Sequence, residues 1–351
     1  MTVAGMQKGI LLYTSYWGYS GTKYYVPTDE ELQKLLSASE EILLIPIAAF
    51  NRYKDEDGNE KQVLDENTLS SMTPDMVGDP AMLETIKAEY APRVETYLRA
   101  NFHMDDYVED AVAYARRLVK LNPAVKLWFS VPHEGCLHAL THLFADAWVY
   151  AVRRVKEVLE PEIWENNVQG IYFSLEDIVT AYYTKFDPSC PREDFHSPMV
   201  YSMRKVSQAA HSYGKECLWI PYYHGAACSH TNLGHVVNRT DIFDTVIIQP
   251  SYFFRAERTP ELGIVAECVR QQQVIDTDGS VIGGEKTSKT VIGFEMEIDH
   301  QFFDKEDYKE RYFAYEKAFG EFVGKYPTAY YAGCPDTAVK AADLMKKFLQ
   351  Q

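Results

Sequence analysis

The sequence predicts an α/β fold, a single (β/α)8 (TIM) barrel spanning residues 1–351, with insertions after strands two and six. Three observations predict it. Eight short apolar or β-branched runs recur along the chain. Most are followed by a loop and an amphipathic helical stretch. No GxGxxG or GxxxxGK[ST] turn follows the first run, which removes the main support for an open nucleotide-binding sheet. Alternating strands and helices imply a parallel sheet with crossover helices, and eight such units imply closure into a cylinder.

The strands are expected at 9–13 (GILLY), 42–48 (ILLIPIA), 125–131 (VKLWFSV), 170–174 (GIYFS), 217–222 (CLWIPY), 245–249 (TVIIQ), 290–297 (TVIGFEME) and 328–332 (TAYYA). Between them, Thr28 followed by acids is a helix start, with Thr as N-cap for 28–36. Val108, Ala111, Ala115 and Leu118 recur at helical spacing over 105–121. Further helices are expected at 138–159, 197–213 (opening Ser-Pro), 260–275, 305–323 and 336–349. Residues 233–243 read as a poor helix. Two segments exceed a minimal barrel. Residues 51–105 are polar and acidic at first (KDEDGNEKQ) and helical around 82–100. In 255–289, DTDGSVIGG suggests a hairpin. Both leave the ends of strands where barrel enzymes build their sites, and are expected as walls or excursions there.

Bulk properties narrow the function. A formal net charge of −16 opposes nucleic acid as a partner, and no basic patch overrides that field. The pairs Arg153-Arg154 and Lys346-Lys347 read as solvated helix faces. Cys136, Cys190, Cys217, Cys228, Cys268 and Cys334 are scattered without a CxxC pair, which fits a reducing compartment. The start MTVAGMQKG shows no apolar leader, so a cytoplasmic location is expected, or a secreted one if a leader has been trimmed. No run approaches the ~18 apolar residues that span a bilayer, so no membrane partner is expected.

Strand parity points to the chemistry. On the seventh run Phe294, Met296 and Ile298 share one face, and Gly293, Glu295, Glu297 and Asp299 share the other. The apolar face belongs against the helices, so the acids project inward. On the fourth run Ile171, Phe173 and Leu175 face the helices, while Tyr172, Ser174 and Glu176 face inside. On the sixth, Gln249, Ser251 and Phe253 lie opposite Ile248 and Pro250. Buried carboxylates are costly unless paired, hydrogen-bonded or neutral, so several converging on one site need an explanation. An ion-pair network with Arg52, Arg192 or Arg255 is the bland one. Glycoside hydrolysis is the functional one: one carboxyl group protonates the leaving oxygen, and another attacks or activates water. Catalytic candidates are Glu176, Glu295 and Glu297. Sugar-binding candidates at the rim are Tyr13, Tyr16, Trp17, Asn51, Arg52, His133, Glu134, Tyr222, Tyr223, His224, Gln249, Tyr252 and Asp299. A carbohydrate substrate is expected, with no cofactor and no metal.

At GIYFSLED (170–177), LWIPYYHG (218–225), FDTVIIQPSYFF (243–254) and IGFEMEID (292–299) the chain resembles a bacterial family of unknown function that looks like the glycosidase barrels. The family pattern has Asn where Ser251 stands. The wider arrangement is similar to the large glycosidase clan with its acid/base on strand four and its nucleophile on strand seven. The resemblance implies Glu176 as acid/base and Glu295 or Glu297 as nucleophile. That clan usually carries Asn directly before the strand-four Glu; here Leu175 stands there.

Two rival readings remain open at this point. His133, Glu134, His138 and His142 could serve a metal-dependent hydrolase, although their spacing is not HExxH. A catalytically silent barrel that binds glycan or protein is the other, favoured by Leu175.

Overall fold

β-Branched and apolar runs suit strands packed on both faces, and each of the eight forms one. The computed structural model describes residues 5–15, 23–47, 52–54, 57–62, 80–101, 105–132, 140–176, 178, 198–223 and 229–350. In chain order the strands are β1 (Gly9–Ser15), β2 (Glu41–Ile47), β3 (Arg52–Lys54), β4 (Glu60–Gln62), β5 (Lys126–Ser130), β6 (Val168–Phe173), β7 (Glu216–Trp219), β8 (Thr245–Ile248), β9 (Val291–Glu297) and β10 (Thr328–Tyr331). All but β3 and β4 close into a parallel barrel, ordered around the ring as in the chain, with β10 pairing back onto β1. The β3–β4 pair is an antiparallel hairpin in the first insertion.

The helices are α1 (Asp29–Ala38), α2 (Pro80–Asn101), α3 (Asp105–Leu121), α4 (Thr141–Val158), α5 (Pro161–Asn166), α6 (Pro198–Ser212), α7 (Ser229–Arg239), α8 (Thr259–Gln271), α9 (Gln301–Asp304), α10 (Glu306–Phe319) and α11 (Pro335–Leu349). The expected start of α1 forms a capping box. The Thr28 hydroxyl accepts the Glu31 N–H, and the Glu31 carboxylate accepts the Thr28 N–H at 2.8 Å. In the first insertion, α2 packs on α4 with Tyr97 and Phe144 ring centroids 6.3 Å apart.

One expectation is corrected. Residues 233–243 read as a poor helix because His, Asn and Gly are weak formers; 240–243 are indeed non-helical, but 233–239 belong to α7. Leu233, Val236 and Val237 on its face are buried, and such packing outweighs propensity. A side chain on Gly234 would sit 2.5 Å from Ile282, so glycine admits that neighbour. Within 255–289 the expected crossover helix forms as α8, over Thr259–Gln271. The expected hairpin follows it, with Ile275 bridging Val281, and is pinned to α7 by Asn238 Nδ2 bonds to the carbonyls of Val274 and Ile282.

Alternation along the strands sorts the core into two layers. Met6, Leu11, Leu43, Ile45, Trp128, Tyr172, Leu218, Ile220, Ile247 and Ala329 pack inside the cylinder. Phe173, Trp219, Phe294, Met296 and Ile298 join the larger cluster between strands and helices. At the N-terminal end of the interior, Glu41 makes the floor. Its Oε2 accepts the backbone N–H groups of Gln7 (2.7 Å) and Lys8 (2.9 Å), and its Oε1 accepts Trp128 Nε1 (2.9 Å). The indole fills the space beside Gly170, where a Cβ would lie 2.3 Å from the ring.

Glu41→Leu is expected to lower the unfolding free energy by about 3 kcal/mol, because it leaves three donors without their acceptor. Urea unfolding followed by tryptophan fluorescence measures this. A loss below ~1 kcal/mol would mean that those donors find other partners.

Candidate active site

The acids of β9 arrive where parity sends them. Phe294, Met296 and Ile298 are buried against helices, which turns Glu295 and Glu297 into the cylinder, each 1% exposed. From across the barrel, with β7 and β8 between, comes Glu176. Its backbone is held at both sides. The Trp219 indole donates to the Leu175 carbonyl at 2.6 Å, and the Tyr222 N–H donates to the Glu176 carbonyl at 3.0 Å. Leu175 is buried in the helix layer, which leaves Glu176 half-buried on the inner side.

The three carboxyl groups lie within one another's fields. Burial pushes the Glu295 carboxyl well above its usual range, and the charges of Glu297 and Glu176 push it further. Burial also raises Glu297; bonds from Tyr315, Ser251 and Phe253 pull it down, and Glu176 raises it. The surroundings of the two β9 acids differ sharply. Glu297 Oε1 accepts the Ser251 N–H at 3.0 Å, and Oε2 accepts the Tyr315 hydroxyl at 2.5 Å. Glu295 Oε1 is buried with no hydrogen-bond partner among the described residues. Glu297 is therefore the member of the pair equipped to carry charge, and Glu295 the member suited to stay protonated.

Tyrosines surround these acids. The hydroxyls of Tyr13, Tyr172 and Tyr331 are all raised, first by burial and then by charges that include Glu176 and Glu295. Tyr13 stands between Tyr24 (5.7 Å between centroids) and Tyr331 (5.9 Å, edge-on). Phe254, 37% exposed, meets the other side of Tyr331 at 5.8 Å.

Of the residues expected from sequence, Glu176, Glu295, Glu297 and Tyr13 come together here. Tyr222 joins them beside Tyr172, whose hydroxyl it helps to raise. Gln249 faces inward and is 7% exposed, with its Nε2 donating to the Ile220 carbonyl at 2.7 Å. Tyr223, Tyr252 and Asp299 are placed differently. Tyr223 is fully buried in the helix layer, its hydroxyl donating to the Ile275 carbonyl at 2.9 Å. Tyr252 stacks on Tyr315 of α10 with centroids 6.0 Å apart. Asp299 accepts the Gln301 N–H (2.8 Å) and Gln301 Nε2 (3.1 Å) at the start of α9. Phe253 also departs from its expected face. Ser251 adopts a left-handed φ of 57°, which ends the alternation and drops Phe253 into the helix layer. Tyr16, Trp17, Asn51, His133, Glu134 and His224 lie outside the described residues, as do His138 and the side chain of Arg52.

Three residues of the site carry no role in the sequence reading. Tyr172 is placed inside there without an assignment. Tyr331 follows by the same parity from Ala329, so its signal was present. Tyr315 has only the apolar spacing of α10 to mark it.

The closed ring of eight parallel strands makes this chain a (β/α)8 barrel protein. No family model and no curated protein matches the sequence. Among solved structures, a protein from Aquifex aeolicus VF5 aligns with 99% of this chain and 93% of its own at 8% identity and a TM-score of 0.34. A trimodular GH5_4 subfamily endoglucanase aligns with 99% of this chain and 60% of its own at 11% identity and a TM-score of 0.34. PhdJ bound to a substrate intermediate aligns with 77% of this chain and 72% of its own at 14% identity and a TM-score of 0.26.

The raised carboxyls have a stability consequence. Folded Glu295 keeps a proton that the unfolded chain releases near its ordinary pKa. Its contribution is full below that value and is lost as pH rises toward the raised one, by about 1.4 kcal/mol per pH unit per proton. Glu295→Gln is expected to flatten the fall in stability between pH 5 and pH 8 relative to the unsubstituted protein. Urea midpoints across that range test it, and parallel profiles for the two proteins would contradict it.

Proposed function

We propose that this protein is a glycoside hydrolase acting by two-carboxylate catalysis. One observation carries the reading: the acids at the tip of β6 and on β9 lie within one another's fields, and Glu297 is furnished with donors while the Oε1 of Glu295 has none among the described residues. In this reading Glu176, half-buried at its strand tip, is the acid/base. It gives its proton to the glycosidic oxygen as the bond to the anomeric carbon breaks. Glu297, held by Ser251 and Tyr315, is the carboxylate on the other side. It attacks the anomeric carbon or takes a proton from the attacking water. Glu295, one layer deeper, stays neutral and lends no competing charge. Tyr13, Tyr172, Tyr222 and Tyr331 offer rings and hydroxyls to the sugar. A net charge of −16 favours a neutral carbohydrate over a polyanionic one.

A second reading rests on Leu175. Its side chain is buried in the helix layer, so the hydrogen bond that Asn supplies in the similar clan has no donor at this position. That favours a barrel that binds glycan without turning it over.

Turnover of a panel of 4-nitrophenyl glycosides separates the two. On the hydrolase reading, Glu176→Gln and Glu297→Gln each lower kcat by roughly 10²–10⁴-fold or more while circular dichroism stays unchanged. Full activity in both variants would end that reading. Glycan binding by the unsubstituted protein, unaltered in Glu176→Gln and without turnover, would establish the second.

A further inference from the structure

Tyr315 belongs to α10, not to a barrel strand, yet its hydroxyl reaches through the wall to Glu297. Its ring is fully buried, stacked on Tyr252 and tilted against Phe319. A phenol has one proton to give and lone pairs to receive. Here the lone pairs accept the backbone N–H groups of Tyr252 (2.9 Å) and Phe253 (3.2 Å). The proton is thereby directed to Glu297 Oε2.

The loop after β8 adds a further element. Ser251, Tyr252 and Phe253 point three successive N–H groups at the Glu297–Tyr315 pair, the first at the carboxylate and the next two at the phenol. The left-handed φ of Ser251 produces this concave arrangement, a backbone nest that favours negative charge. The bond from Ser251 to Glu297 is made by its backbone N–H. Arg311, one turn before Tyr315, holds the same loop through a 2.9 Å bond to the Phe253 carbonyl.

Two acids this close in a dry interior do not both ionise readily. We propose that Tyr315 is a positioning residue that selects Glu297 over Glu295 as the ionised carboxyl of β9 and aims it across the barrel toward Glu176. Among the described residues, the groups facing Glu297 are Glu295 on its own strand, Glu176 beyond β6, Tyr331 on β10 and Tyr315 on α10. Among these, Tyr315 is the one whose proton is given to it. The kinetic part of this proposal rests on the hydrolase reading; the selection itself does not.

The test needs no substrate. Protein labelled with ¹³C at the glutamate carboxyls is titrated by NMR, with Glu295→Gln and Glu297→Gln identifying the two resonances. In the unsubstituted protein Glu297 is expected to ionise at lower pH than Glu295. In Tyr315→Phe the Glu297 midpoint is expected to rise by about one pH unit or more, the loss of one bond to a charged group. Placing 3-fluorotyrosine at 315 makes a stronger donor, and there the midpoint is expected to fall. This second protein decides the matter should Tyr315→Phe not fold. An unmoved midpoint in either folded protein overturns the proposal.

Where turnover is found, Tyr315→Phe is expected to lower kcat by about 10–100-fold with KM within twofold. The acid limb of kcat/KM should shift to higher pH by the same interval as the NMR midpoint. A purely structural role would leave that limb in place. Absent turnover with a shifted midpoint would refute the hydrolase reading and leave the selection standing.

Discussion

A strand in a closed barrel has two destinations for its side chains, and they alternate. That constraint decides the chemistry of this protein. Phe294, Met296 and Ile298 cannot leave the helix layer without opening the core, so Glu295 and Glu297 cannot leave the interior. The acidic cluster is thus held in place by apolar residues that never touch it. The same holds across the barrel, where Phe173 and Leu175 in the outer layer commit Glu176 to the inner one. Isolating one acid from its fold would be meaningless here, because its position is a by-product of its neighbours' burial.

Alternation is also the part of the structure most legible from residues alone. All eight strands follow from short apolar runs, and the orientation of β6 and β9 from period-two parity, because burial on the two faces writes itself into composition. Legibility stopped where the period stopped. Ser251 leaves the β region, and past it Phe253 and Tyr252 go to the helix layer, which no pattern announces. Tyr223 fails for a related reason. It follows the isolated bridge between Tyr222 and Gln249, and a tyrosine past a strand end looks the same whether it faces a sugar or the Ile275 carbonyl. Tyr315 was invisible because its link to Glu297 joins a helix to a strand of another unit. Only tertiary packing creates that contact. The weak composition of α7 misled in the opposite sense, since propensity there is overridden by a buried face.

The energetics of the site follow from how differently two neighbours on one strand are treated. Glu297 receives a phenol and a backbone N–H, which offset part of its desolvation; among the described residues the Oε1 of Glu295 receives neither. A buried polar atom without a partner is costly, and a proton on Glu295 lowers that cost by removing the charge. Among the described residues, the asymmetry that separates the two acids comes from neutral donors, a phenol and backbone N–H groups.

The close fit of Trp128 against Gly170 has a consequence for how such a protein can change over time. The floor of the cylinder has no spare volume, and any larger residue at 170 would evict the indole from Glu41. Change at 170 is therefore tied to change at 128 and 41, so that these three positions can be altered over generations only in concert.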